Sequence, residues 1–151
     1  MRPLDHYHNR QHALDAEKRI EVILGRYFAQ LEHVGHHTQA HPDHDYIGYE
    51  HGKKVLLEVK CTRLFHTRRG GTARARGSWT LQPDNCEILA GKEGFYIFVV
   101  LLKDEPVIVV RCPAEECRFK QNISIFDAEG MELLFPTDED ITRGGILNEN
   151  E

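Results

Sequence analysis

The apolar positions first follow helical spacing. Ile20, Ile23, Leu24, Tyr27, Phe28 and Leu31 fall on one stripe, which predicts an amphipathic helix from His12 to Glu32. On that wheel Glu17 lies about 50° from the centre of the stripe and Glu21 about 90° away, so Glu17 points more nearly to the core. A short strand near Val34 follows within a His-rich stretch. The spacing then changes. Tyr46-Ile47-Gly48-Tyr49 and Lys54-Val55-Leu56-Leu57-Glu58-Val59 flank Glu50-His51-Gly52-Lys53, where Gly52 supplies the positive φ of a tight turn. This hairpin pairs Glu50 with Lys53, Gly48 with Val55 and Asp45 with Glu58. Arg63 to Gly77 reads as a mobile loop around Gly70-Gly71, with Trp79 and Leu81 as its packing anchors.

Beyond the loop, a short helix is expected from Asp84 to Ala90. Phe95 to Leu102 is continuously apolar, the pattern of a strand buried on both faces. Lys103-Asp104-Glu105-Pro106 turns the chain into Val107 to Arg111, its antiparallel neighbour. Pro113 to Phe119 predicts a helical turn, Asn122 to Phe126 a short edge strand, and Thr137 caps a last turn over Asp138 to Ile141. The acidic tail from about residue 144 is expected to fray. The order of elements predicts an α/β fold: one central mixed sheet of about four or five strands with helices on both faces.

Composition narrows the class. A chain of 151 residues with 40% hydrophobic and 28% charged residues suits one soluble globular domain spanning residues 1–151. No apolar run is long enough to span a membrane, and Met1 to His6 lacks the apolar core of a signal peptide. A cytoplasmic protein is expected, with Cys61, Cys86, Cys112 and Cys117 as reduced thiols.

The net charge of −5 argues against a nucleic-acid partner until its distribution is considered. Arg63, Arg68, Arg69, Arg74 and Arg76 follow Lys60 with no intervening acid, while acids gather at Asp138-Glu139-Asp140 and in the tail. A local basic stripe can hold phosphates on an acidic molecule.

The chemistry gathers at the hairpin. Alternation puts Glu58 and Lys60 on one face of their strand, and the pairing brings Asp45 opposite Glu58. Facing carboxylates repel, and a divalent cation between them reverses that penalty. With Cβ atoms ~5 Å apart they can chelate one Mg²⁺ that keeps several waters. Lys60 beside it can hold the attacking water or offset charge on a phosphate, a constellation for metal-assisted phosphodiester hydrolysis. Glu-x-Lys alone is a weak signal, because exposed ion pairs are common. The facing acid, the apolar strand, the helix glutamate and the basic loop strengthen it together.

Glu17 on the opening helix, Asp45 at a strand start, and Glu58-Val59-Lys60 ending the next strand make the chain resemble the PD-(D/E)XK nuclease superfamily. That superfamily includes restriction endonucleases, archaeal Holliday-junction resolvases and recombination exonucleases. Gln82 resembles a glutamine found downstream in many members. Asp43, within Pro42-Asp43, rivals Asp45 for the aspartate position. The resemblance covers about Ala13 to Leu102. It implies a restriction-endonuclease-like fold and a DNA endonuclease that leaves 5′-phosphate and 3′-hydroxyl ends. Asp45, Glu58 and the Val59 carbonyl would bind Mg²⁺ or Mn²⁺, with Glu17 supporting through water. Lys60 would act on the nucleophilic water, Gln82 would orient Lys60 or touch the phosphate, and a homodimer would cut both strands.

Two other readings stay open. One is a DNA-binding or assembly subunit that kept the fold and lost catalysis. The other is a zinc-binding regulatory protein built on His33, His36, His37, His41 and His44. The histidine spacing matches no zinc motif, and Cys112 and Cys117 are separated by four residues rather than two.

Overall fold

The computed structural model describes residues 15–34, 44–67 and 74–143. Helix α1 covers residues 15–24 of the described chain and leads through a turn into strand β1 (Ala29–His33). The hairpin β2 (Tyr46–Glu50) and β3 (Lys53–Arg63) follows. Two short strands, β4 (Phe65–Thr67) and β5 (Arg74–Arg76), precede β6 (Ser78–Thr80) and helix α2 (Pro83–Gly91). The long pair β7 (Phe95–Leu102) and β8 (Glu105–Pro113) leads into a 3₁₀ turn, Ala114–Cys117. Strand β9 (Asn122–Ser124), a second 3₁₀ turn (Ile125–Gly130), β10 (Glu132–Phe135) and helix α3 (Asp138–Arg143) complete the described chain.

The main sheet has six strands in the order β1-β2-β3-β7-β8-β10. Only β3 and β7 run parallel; the other four pairings are antiparallel. Alternation splits its side chains into two cores. Leu57, Ile97, Val99 and Val109 pack with Ile20, Ile23 and Leu24 of α1. Tyr96, Phe98, Val100 and Val110 pack with Leu89 and Ala90 of α2 on the other face. Strand β7 serves both, so Tyr96 to Val100 are all buried, as its apolar run predicts. The fold is thus mixed α/β with helices on both faces. Among the described residues no helix is long and apolar enough to cross a membrane.

Several boundaries differ from the sequence reading. The helical stripe is not continuous to Glu32. After Leu24 the chain closes with turn bonds from Arg26 and Tyr27 N–H to Ile23 and Leu24, and Phe28 still reaches the core. Gln30 has φ 52°, and residues 29–33 pair with β2 as an edge strand. A mostly exposed edge strand carries little period-two signal, so its apolar residues read as an extended helix. The 63–77 segment is not one loop, because β4 and β5 pair antiparallel within it. The sheet has six strands rather than four or five. One edge is β1, just before the strand expected near Val34. The other is the unexpected β10, whose Leu133 is 52% exposed. Asn122–Ser124, expected as an edge strand, pairs with β6 in a separate two-stranded sheet. The part of the opening helix before residue 15 and the tail from residue 144 lie outside the described residues.

Candidate functional site

The hairpin register agrees with the sequence pairing from Glu50↔Lys53 through Gly48↔Val55 to Tyr46↔Leu57. His51 and Gly52 both adopt positive φ, as a two-residue hairpin turn requires. At Asp45 the ladder changes. Asp45 lies in a bend, and its N–H donates to Leu57 O at 2.8 Å, although Leu57 is already the partner of Tyr46. Its carboxylate then reaches past Glu58, and Oδ2 accepts from the Val59 N–H at 2.9 Å. The simple Asp45–Glu58 pairing is therefore replaced by a side-chain bridge to the backbone between Glu58 and Lys60.

This bridge fixes one more group. A strand residue's N–H and C=O point to the same side. The Val59 carbonyl therefore points toward Asp45, as its N–H does, and not into the ladder with β7.

Glu58 and Lys60 pair in register with Tyr96 and Phe98, and alternation puts them on the α2 face with Leu56. Glu58 is 8% exposed. Lys60 Nζ stands 3.8 Å from Glu58 Oε2, an ion pair too long for a hydrogen bond. Burial first, and the Cys86 thiol and Glu58 carboxylate among the further causes, hold the Tyr96 hydroxyl in its neutral form beyond the usual phenol range.

The α1 face carries its own polar group. Glu17 Oε1 lies 3.3 Å from His33 Nδ1, and ligand atoms of Glu17, Glu21 and His33 all fall within 4.8 Å of one another. The His33 ring lies 4.5 Å from that of Tyr46, whose hydroxyl donates to Glu21 Oε1 at 3.2 Å. Burial, then Glu21 and Glu17, raise the Tyr46 pKa, with a smaller contribution from Asp45. Cys61 keeps surface exposure, yet its thiol is pushed up to about 11, first by desolvation of its sulfur and then by the Asp45 and Glu17 carboxylates. Asp45 and Glu17 thus act on the same two neighbours. Glu17 approaches from the α1 side, Glu58 and Lys60 stand on the α2 side, and Asp45 sits at the edge where β2 leaves β3.

The other expected site residues are more dispersed. Gln82 is exposed just before α2, where its carbonyl accepts from Cys86 N–H. Pro83 starts the helix in the first-turn position that tolerates a missing N–H. Arg63 is exposed at the end of β3, and the Arg76 guanidinium lies 4.5 Å from the centre of the exposed Phe126 ring. Arg74 is on β5. Arg68, Arg69, Asp43, His36, His37 and His41 lie outside the described residues. His44 is buried at 4% exposure beside Asp45. Trp79 is a buried anchor, its indole donating to Val99 O at 3.2 Å. A cleft of about 710 Å³ lies near the hairpin turn, lined by Lys53, Val55, Glu93, Gly94 and Phe95 among others, and includes neither Asp45, Glu58 nor Lys60.

The sequence reading missed the grouping of Glu21, His33 and Tyr46 with Glu17. The available signal was the i, i+4 spacing of Glu17 and Glu21 on one helix. Nothing local signalled that His33 would return beside them on an edge strand.

No protein-family model matches the chain, and no curated protein sequence matches it at a significant level.

Proposed function

We propose that this protein is a metal-dependent DNA endonuclease with a restriction-endonuclease-like fold, acting at the edge where β2 parts from β3. The observation that carries this reading is the Asp45–Val59 hydrogen bond. It holds a carboxylate against the backbone of the Glu58-Val59-Lys60 segment, on the side to which the Val59 carbonyl also points. The Asp45 and Glu58 carboxylates and a carbonyl are all hard oxygen donors, which suit Mg²⁺ or Mn²⁺. Asp45, Glu58 and the Val59 carbonyl would hold the ion, and Glu17 would support its shell through water. When bound, the ion supplies Lewis-acid activation of a phosphodiester and of water.

The chain's own groups have distinct roles. Buried Glu58 orients Lys60 through their ion pair, and the Lys60 ammonium offsets charge that develops on the phosphate oxygens. Gln82 acts from the start of α2 on Lys60 or on the phosphate. Arg63, Arg68, Arg69, Arg74 and Arg76 bind backbone phosphates, giving affinity without sequence preference. Two copies pair to cut both strands of a duplex.

The test is incubation of the protein with supercoiled, branched and single-stranded DNA, in Mg²⁺ or in EDTA. Expected is nicking that needs the metal and is lost in Glu58→Gln. Retention of DNA without cleavage of any substrate would replace the endonuclease with a DNA-binding subunit.

A further inference from the structure

Cys112 and Cys117 are brought together on the α2 face, where Cys112 lies two strands across the sheet from Glu58, with Tyr96 of β7 between them in register. Cys112 lies near the end of β8, in register with Tyr96. Cys117 ends the 3₁₀ turn that follows, and the turn doubles back so that the Cys117 thiol donates to Cys112 Sγ at 3.5 Å. The sulfurs need to close by about 1.5 Å to reach disulfide bonding distance, which is within reach of side-chain rotation. The two thiols are unequal in access. Cys117 is 1% exposed, while Cys112 is 8% exposed and lines a cleft of about 270 Å³ with Arg111, Glu116 and Met131. A small peroxide fits that space.

Their acidities differ in the same sense. The hydrogen bond from Cys117 holds the Cys112 thiol below its ordinary value against the opposing effect of burial. The same bond and burial push the Cys117 thiol far upward. The thiol beside the cleft is the one a peroxide can reach, and its thiolate is the form that attacks.

We propose that Cys112 and Cys117 form a peroxide-responsive dithiol, in which Cys112 meets the oxidant and Cys117 resolves it to a disulfide. The Cys112 sulfur attacks one oxygen of a hydroperoxide, and the O–O bond breaks. The leaving oxygen takes the former thiol proton, so hydrogen peroxide releases one water and leaves Cys112 as a sulfenic acid. Cys117 sulfur then bonds to Cys112 sulfur, the S–O bond breaks, and the hydroxyl departs with the Cys117 proton as a second water. Two thiols are oxidised and one peroxide is reduced. This inference is independent of the nuclease reading.

The test treats the full-length protein with hydrogen peroxide, removes the peroxide with catalase, denatures, alkylates and digests with trypsin. Residues 112–118 form one tryptic peptide containing both cysteines. Expected is a peptide lighter by two hydrogens that carries no alkyl group, converted to the doubly alkylated form by dithiothreitol. In Cys117→Ser, and in Cys117→Ala as a second variant, dimedone should label Cys112. Cys112→Ser should leave Cys117 reduced. A peptide that stays doubly alkylated after peroxide, a disulfide joining either residue to Cys86, or dimedone found on Cys117 would overturn the proposal.

Discussion

Asp45 is tied to Val59 by a hydrogen bond of 2.9 Å from the backbone N–H to a carboxylate oxygen, where β2 leaves β3. The residue therefore has a structural task and a proposed chemical one, and substitutions can separate them. Asp45→Asn keeps an acceptor oxygen for Val59 but removes the charge. It should fold with near-parental stability and lose metal-dependent cleavage. Asp45→Ala removes the acceptor as well and should lower stability by about 1–3 kcal/mol in urea unfolding. Cleavage retained by Asp45→Asn would remove Asp45 from the metal shell.

Glu58→Gln and Lys60→Ala should each reduce cleavage by at least about 100-fold, the usual scale for losing a group that stabilises developing charge. Both should leave DNA affinity nearly unchanged, as read by fluorescence anisotropy in Ca²⁺. Near-parental nicking by either variant would show that the role assignments are wrong.

Arg68→Ala combined with Arg69→Ala removes two cations from the basic segment. If both meet phosphates, the slope of log affinity against log salt should become shallower by about 1.8 on duplex DNA. An unchanged slope would assign the pair to solvated surface.

The cap of α3 makes a pH prediction. Asp140 accepts from the Thr137 N–H at 2.8 Å, and its carboxyl is held below the usual range by that backbone bond, then by the Thr137 hydroxyl and Arg26. A carboxylate depressed in the folded state contributes stability that is present above its unfolded value and is lost as pH falls through the folded one. Asp140→Asn should therefore lower the melting temperature at pH 7, on the scale of a lost cap, about 0.5–2 kcal/mol. The difference from the parent should shrink as pH falls below about 4, where the unfolded aspartate begins to protonate. A constant difference across that range would mean the charge is not what matters.

Gly77 is buried where a Cβ would collide with the Arg63 carbonyl and the Thr62 hydroxyl. Gly77→Ala should lower stability by about 1–3 kcal/mol through forced displacement of backbone. It should also raise hydrogen exchange at β6, which lies against β3. Unchanged stability would show that the segment relaxes freely.

Much of this architecture was legible along the chain. Val55 and Leu57 against Leu56 predict a strand with two distinct faces, and the run from Tyr96 to Val100 predicts a central one. His51-Gly52 sets the register as far as Tyr46↔Leu57. What lies just beyond that pair was not legible. Simple continuation of the register sets Asp45 opposite Glu58, but its N–H turns to Leu57 O and its carboxylate accepts from Val59 N–H. No residue pattern announces a departure of one residue from a ladder.

Local residue patterns specify the β2–β3 hairpin, the β7 and β8 strands, helix α2, and the order in which Asp45, Glu58 and Lys60 occur. These follow from interactions between residues close in the chain, where alternation, helical spacing and turn chemistry act directly. Long-range packing makes residues 29–33 and 132–135 the sheet's edges, brings Glu17 to His33, and folds the Cys117 turn back on Cys112. An edge strand is stabilised mainly by its one neighbour, and a side-chain meeting depends on how separate segments pack. Both are set by contacts outside the segment, so its own pattern does not carry them.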